Sequence, residues 1–323
     1  MTRRVPTPIS RREYLRASAL VGVSSLMTPL CSCRNEGPLL RRMIKGSNLA
    51  PRKSQFLPPG VWDTVWSRWD WTWIKRTIDL AVQQGANAVR LIGSLGILSS
   101  KVITMETYLS RQARLAQYCG SIGIKYYACG GDLRDVGNAD PREVRSFLVA
   151  QATNLAAFGS DVLGFDLVNE YAAGFDSLGK AGVESLLVST LKDIRTAATG
   201  LRLAVSDDRP PPKSAETLPA IASYIDFWDF HIYSPDVQFD VMEPLGHISG
   251  LPILIGEFGA SRADGRSSVD RSQFYRRILN IQRSQPDFMG SLQWAIVDDD
   301  FGLYDESTLT LQNDIASAWA SFP

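Results

Sequence analysis

From residue 43 onward, short apolar or β-branched runs alternate eight times with longer segments of helical period. That alternation restricts the chain to parallel strands joined by right-handed crossovers. The strand runs are residues 43–48, 86–92, 124–129, 162–168, 201–206, 227–233, 252–257 and 289–295. The helical segments are 71–84, 105–119, 141–158, 181–199, 215–223, 237–247, 268–284 and 309–321. In the seventh of these, Phe274, Ile278 and Ile281 recur at four- and three-residue steps, while Arg271, Arg276, Arg277 and Gln282 fill the other face. Gly85, Gly120, Gly123, Gly159 and Gly200 fall at or just after helix ends, where a residue tolerating positive φ closes the last turn. Eight such units make an α/β fold of the (β/α)8 TIM-barrel kind over residues 43–323. A Rossmann-type open sheet fits less well, because no Gly-rich phosphate loop follows the first strand. Pro210-Pro211-Pro212 breaks the chain after strand five without dividing it into two domains.

Residues 1–33 form an address. Ser10-Arg11-Arg12-Glu13-Tyr14-Leu15-Arg16 has the pattern of a twin-arginine export motif, and a short apolar stretch, 17–27, follows it. That stretch falls short of the roughly 20 apolar residues a membrane-spanning helix needs. Leu30-Cys31-Ser32-Cys33 is similar to a lipobox, which makes Cys33 a candidate lipid anchor; a plainly cleaved periplasmic or secreted protein is the alternative. Residues 34–42 read as a short linker. Cys119 and Cys129 bracket a strand, which separates them by about 20 Å at roughly 3.3 Å per residue. A disulfide needs Cα atoms within about 7 Å, so both are expected as buried free thiols. Lys+Arg and Asp+Glu both total 34, and basic residues are nowhere densely interleaved with aromatics, which argues against nucleic acid as a partner.

In a closed barrel, polar residues at the carboxyl ends of strands read as functional. Arg90 stands near the end of strand two, Asn169 and Glu170 after strand four, Ser206 and Asp207 at the end of strand five, His231 and Tyr233 on strand six, Glu257 on strand seven and Trp294 on strand eight. Glu170 and Glu257 each follow an apolar run, and a carboxylate there is costly to desolvate unless it is partnered or used.

With these residues in place the chain resembles clan A of the glycoside hydrolases, most closely the family 5 type that includes cellulases and β-mannanases. The resemblance runs from about residue 43 to the C-terminus. It rests on Val168-Asn169-Glu170, similar to the family's acid/base motif, and on Gly256-Glu257-Phe258-Gly259, similar to the surroundings of its nucleophile. Lys45-Gly46-Ser47-Asn48, Arg90, His231-Ile232-Tyr233 and Trp294 match its first strand and subsite pattern.

The resemblance implies a retaining enzyme that cleaves β-linked glycans such as β-1,4-glucan or β-mannan by double displacement. Glu257 would be the nucleophile and Glu170 the general acid/base, in environments expected to differ. Arg90 and Tyr233 would hold the ionised Glu257, and Asn169 the sugar 2-hydroxyl. His231 would bond sugar hydroxyls or orient a carboxylate, and Trp294 would floor the subsite. A transglycosylase with the same residues, or a non-catalytic carbohydrate-binding barrel, is the alternative. No cofactor is implied, the partner is an oligo- or polysaccharide, and a monomer is expected. Asp298-Asp299-Asp300 reads as a solvated loop rather than a metal site. The cluster Trp62, Trp66, Trp69, Trp71 and Trp73 would either stack a glycan or pack helices, since Trp66, Trp69 and Trp73 recur at helical steps.

Overall fold

A computed structural model describes residues 43–208, 219–233, 250–265, 267–284 and 287–322. The expected leader, Cys33, Pro210-Pro211-Pro212 and the expected helix 237–247 lie outside the described residues. The strands are β1 (Ile44–Asn48), β2 (Ala88–Leu91), β3 (Lys125–Cys129), β4 (Val162–Asp166), β5 (Leu203–Ala204), β6 (Ser206–Asp207), β7 (Trp228–Ile232), β8 (Ile253–Phe258) and β9 (Phe288–Gln293). Their order in the sheet is β5-β4-β3-β2-β1-β9-β8-β7-β6, with every neighbouring pair parallel.

β5 and β6 are successive pieces of the expected fifth strand, parted at Val205. The first piece pairs with β4 and the second with β7, so the sheet runs round to meet itself as a nearly closed (β/α)8 barrel. The open-sheet alternative is thereby excluded. Strands buried along their whole length, as in β4 and β8, are what a parallel sheet covered by helices requires.

Among the described residues the helices are α1 (Val61–Ser67), α2 (Trp71–Gln83), α3 (Ile97–Ser100), α4 (Met105–Ser121), α5 (Pro141–Ala156), α6 (Phe175–Ala197), α7 (Ser268–Ser284) and α8 (Asn313–Ala320). Their starts are chemically marked. Asp70 accepts from the Trp73 amide at 3.0 Å, Thr104 from Thr107 at 3.1 Å, and Asp140, followed by Pro141, from Arg142 at 2.8 Å.

Several boundaries differ from the sequence reading, each for a local reason. α1 was not expected; it buries Trp62 and Trp66, one helical turn apart, on the barrel. α8 begins at Asn313 rather than 309, because Leu309 is left-handed (φ 53°) and Tyr304 bridges Leu311. Gly120 lies within α4 instead of capping it. A Cβ there would come 2.2 Å from Asp161 Oδ2, so close approach rather than positive φ explains that glycine. Cys119 and Cys129 are free and buried, as expected.

Register brings the carboxyl ends level. Asn48 pairs with Arg90, Arg90 with Tyr127, Cys129 with Asp166, and His231 with Glu257.

Candidate active site

The arrangement is built around one buried guanidinium. Arg90 points from β2 into the barrel, fully buried. Its Nη1 donates to Asn48 Oδ1 at 3.1 Å and, more closely, to Glu257 Oε1. Its Nη2 donates to Asp166 Oδ2 at 2.8 Å and Asn169 Oδ1 at 2.9 Å, and the guanidinium lies 5.8 Å from the Tyr127 ring centroid. Desolvation opposes the charge. Anionic neighbours, Glu257 and Asp166 among them, more than offset it and hold Arg90 above its ordinary pKa.

Glu257 stands on β8 where the ladder slips. β7 and β8 change register between Phe230 and His231, and the shift aims Glu257 at Arg90. Its Oε2 accepts from Tyr233 Oη at 2.5 Å. Burial, and then the charge of Glu257, push the Tyr233 phenol well above its usual range, so it remains a donor. Gly256 is required by crowding: a Cβ there would fall 2.1 Å from Asp229 Oδ1, which already accepts from the Gly256 amide at 2.7 Å. At Gly259 a Cβ would meet the Trp294 carbonyl at 2.8 Å.

Glu170 is held differently. It has a left-handed backbone (φ 48°, ψ 63°), a conformation uncommon for a non-glycine residue, and its amide donates to Ser206 Oγ at 2.9 Å. Ser206 is fixed in turn by Asp166, through its own amide at 3.0 Å and its hydroxyl at 2.9 Å. Glu170 Oε1 lies 2.9 Å from His231 Nδ1, and its Oε2 lies 3.7 Å from Arg134 Nη2. Its side chain keeps 14% exposure against 5% for that of Glu257, so one carboxylate reaches solvent and the other is enclosed.

His231 is fully buried, and desolvation lowers its pKa in spite of Glu257, leaving a neutral imidazole. Its Nδ1 lies 3.6 Å from Glu257 Oε1 and so stands between the two glutamates. One donor atom each from Glu170, His231 and Glu257 falls within 4.8 Å of the others. The spacing alone would suit a metal ion. Both oxygens of Glu257 already accept hydrogen bonds, however, and the Arg90 charge on the same carboxylate repels a cation.

The structure thus joins Arg90, Asn169, Glu170, His231, Tyr233 and Glu257 in one network. Trp294 meets it through the backbone: its amide donates to Phe258 O at 2.7 Å, and its partly exposed ring packs edge-on against Trp62. The other tryptophans pack rather than line this network. Trp66 is fully buried and stacks on Trp69, Trp69 stacks on Trp71, and Arg52 covers Trp73.

The aspartate loop is also structural. Asp298 Oδ1 accepts from the amides of Asp300 and Phe301, and Asp300 accepts from Ser261 Oγ and the amides of Arg262 and Ala263. Asp299 pairs with Lys53.

Sequence reasoning missed Asp166, Asp229 and Arg134, whereas Ser206 stood among the polar strand ends. Burial and the neighbouring Asp166 push Asp229 well above the carboxylate range, and its Oδ2 accepts from Tyr127 Oη at 2.7 Å. A signal for both aspartates existed: each interrupts an apolar strand, and Asp229 shares a face with His231 at two-residue spacing.

No known family profile matches the chain, and no curated protein matches it. Many solved structures match in fold, and that fold is the TIM barrel of the glycoside hydrolases. An exo-β-1,4-mannosidase from an Opitutaceae bacterium, strain TAV5, superposes with a TM-score of 0.65 at 20% identity over 86% of this chain. The match spans 58% of that longer protein. Cel5A from Thermotoga maritima, in complex with cellobiose, gives 0.61 at 17% identity, covering 86% of this chain and 96% of the other. A β-glucosidase from the same organism, in complex with glucoimidazole, gives 0.60 at 13%, covering 86% and 94%. What the chain shares with these glycoside hydrolases is thus the whole barrel fold.

Proposed function

We propose that this chain is a retaining β-glycosidase acting on β-linked glycans of the β-1,4-glucan or β-mannan kind, with Glu257 as nucleophile and Glu170 as general acid/base. The observation that carries this reading is the approach of the two carboxylates on either side of His231, within 4.8 Å between donor atoms. Retaining glycosidases need carboxyl groups about 5–5.5 Å apart, whereas inverting ones leave about 6.5–9.5 Å for a water molecule.

The different holds on the two glutamates suit different tasks. Arg90 and Tyr233 favour an ionised, oriented Glu257, which attacks the anomeric carbon as the bond to the leaving oxygen breaks. Glu170 gives its proton to that oxygen. In the second step it takes a proton from the water that displaces Glu257, and both groups return to their starting states. Asn169 uses Oδ1 to accept from Arg90, which leaves its amide N–H to donate to the sugar 2-hydroxyl. Trp294 would floor the reacting sugar's subsite. The twin-arginine pattern of residues 10–16 supports export, and Cys33 supports a lipid anchor at the cell envelope.

The test is release of reducing sugar from β-glucans, β-mannans and xylan, comparing the protein with its Glu170→Gln and Glu257→Gln variants, with product stereochemistry followed by NMR. Activity on one class, retention at the anomeric carbon and loss in both variants are expected. Inversion, or undiminished activity in either variant, would overturn the assignment.

A further inference from the structure

On the flank of the barrel lies a cavity that the reaction just described does not use. It measures about 580 Å³, within the range of small-ligand sites, and is lined by Trp69, Glu106, Thr107, Ser110, Arg111 and Arg114. Trp69 stands in the turn between α1 and α2, and the other five lie on the first three turns of α4. α2 and α4 begin on the side where β1 and β2 end, so the cavity lies towards the end of the barrel that carries Asn48 and Arg90. No residue of the Arg90 network lines it.

α4 has two faces. Tyr108, Gln112, Leu115, Ala116 and Cys119 are buried. Thr107, Ser110, Arg111 and Arg114 recur at helical steps on another side and give their side chains to the cavity. Packing holds the two cations in place. Arg111 Nη1 donates to the carbonyl of Trp66 and, at 3.3 Å, to that of Ser67, while the Arg114 guanidinium covers the Trp71 ring at 4.2 Å from its centroid. Side chains fixed in this way have already given up much of the rotamer freedom that binding removes. The Arg114 N–H groups, the Ser110 hydroxyl and the Glu106 carboxylate make no hydrogen bond or ion pair with the described residues, and they remain open to a ligand. Trp69, partly exposed and stacked on Trp66 at 5.1 Å, adds apolar surface.

The lining thus offers planar donors, hydroxyls, one acceptor carboxylate and an indole. An anionic ligand would gain from the arginines and lose to Glu106, and an apolar partner would strand the charges. A polyhydroxyl ligand uses every part: its hydroxyls accept from the arginines and donate to Glu106, and its C–H faces pack on Trp69.

We infer that this cavity is a second, non-catalytic site for β-linked glycan, which keeps polymeric substrate at the enzyme surface. The inference rests on β-linked glycan as the substrate class.

The experiment is affinity electrophoresis of the full chain in native gels cast with soluble β-glucan or β-mannan, in a Glu257→Gln background so that the polymer stays intact. Glu106→Gln and Arg114→Gln, both at exposed positions, are added to it. Each is expected to weaken retention by one of the polymers about three- to tenfold. With Glu257 restored, each should raise KM on that polymer by a similar factor, while kcat/KM on an aryl β-glycoside, which fills only the barrel site, and the melting temperature stay unchanged. The sign at Glu106 decides the ligand class: tighter binding in Glu106→Gln would overturn the proposal in favour of an anionic ligand. Unchanged retention in Arg114→Gln, or equal losses on polymer and aryl glycoside, would overturn it too. So would binding of the parent, lost in Arg114→Gln, to vesicles of phosphatidylcholine and phosphatidylglycerol with no retention by either polymer, which would make the cavity a membrane contact. Full hydrolytic activity in Glu257→Gln would sink the catalytic assignment alone, and retention that still falls in Arg114→Gln would support this site by itself.

Discussion

Two acidic groups stand near the carboxyl end of the barrel, and they differ in what satisfies them. Asp166, Asp229 and Glu257 are deeply buried and are bound largely by side chains: the fork of Arg90, the phenols of Tyr127 and Tyr233, and the hydroxyl of Ser206. Asp298 and Asp300 are more exposed and are bound mainly by backbone amides of their own loop and of residues 262–263. Amide donors fix a loop. A shared guanidinium couples carboxylates to one another in a dry setting. The pKa directions cut across this division, since burial also raises Asp298. Asp229 rises far under burial, whereas Asp300 falls despite its burial because Ser261, Ala263 and Arg262 donate to it.

The largest expected difference between the groups is catalytic. Glu257→Gln should lower kcat/KM by a factor on the order of 10³ or more, and Asp300→Asn by less than about threefold, measured on an aryl β-glycoside. Comparable losses in both would erase the distinction.

Next is stability. Arg90→Met leaves Asp166 and Glu257 buried without their shared cation and should cost about 3–5 kcal/mol in denaturant unfolding. Asp300→Ala removes amide-bound hydrogen bonds at a partly exposed site and should cost about 1–2 kcal/mol.

A finer test uses pH. Asp229 is raised above its unfolded value of about 3.9, so its contribution to stability is present at low pH and is lost as pH climbs towards its folded value. Asp229→Asn lacks that loss, and its stability relative to the parent should therefore improve from pH 4 to pH 8. An opposite slope would mean that Asp229 is ionised in the fold. The smallest expected effect is that of chelation: EDTA should leave both activity and melting temperature unchanged, because amides and arginines already occupy the carboxylates of both groups.

The periodicity of the chain and the order of its polar strand ends made the barrel and six members of the network legible, from Arg90 to Glu257. Hydrophobic alternation is a local property, and parallel pairing of eight such runs leaves few alternatives. Asp166 and Asp229 escaped because an acidic residue inside an apolar run shows no partner along the chain. Arg90 lies 76 residues from Asp166 and 167 from Glu257. Arg134 escaped for the same reason: on the chain it is an exposed loop residue, and only the bridge from Asp132 to Asn169 brings it to Glu170.

The tryptophan cluster marks the converse limit, since its helical spacing allowed both a glycan platform and a packed layer; Trp62 and Trp66 are buried, whereas Trp69, Trp71 and Trp73 remain partly exposed and are engaged by ring stacking and by Arg52. What the sequence by itself determined is the set of elements and the residue types at their ends. What only the tertiary structure decided is which charges share a partner, because electrostatic coupling depends on distance and burial, and both arise when the barrel closes.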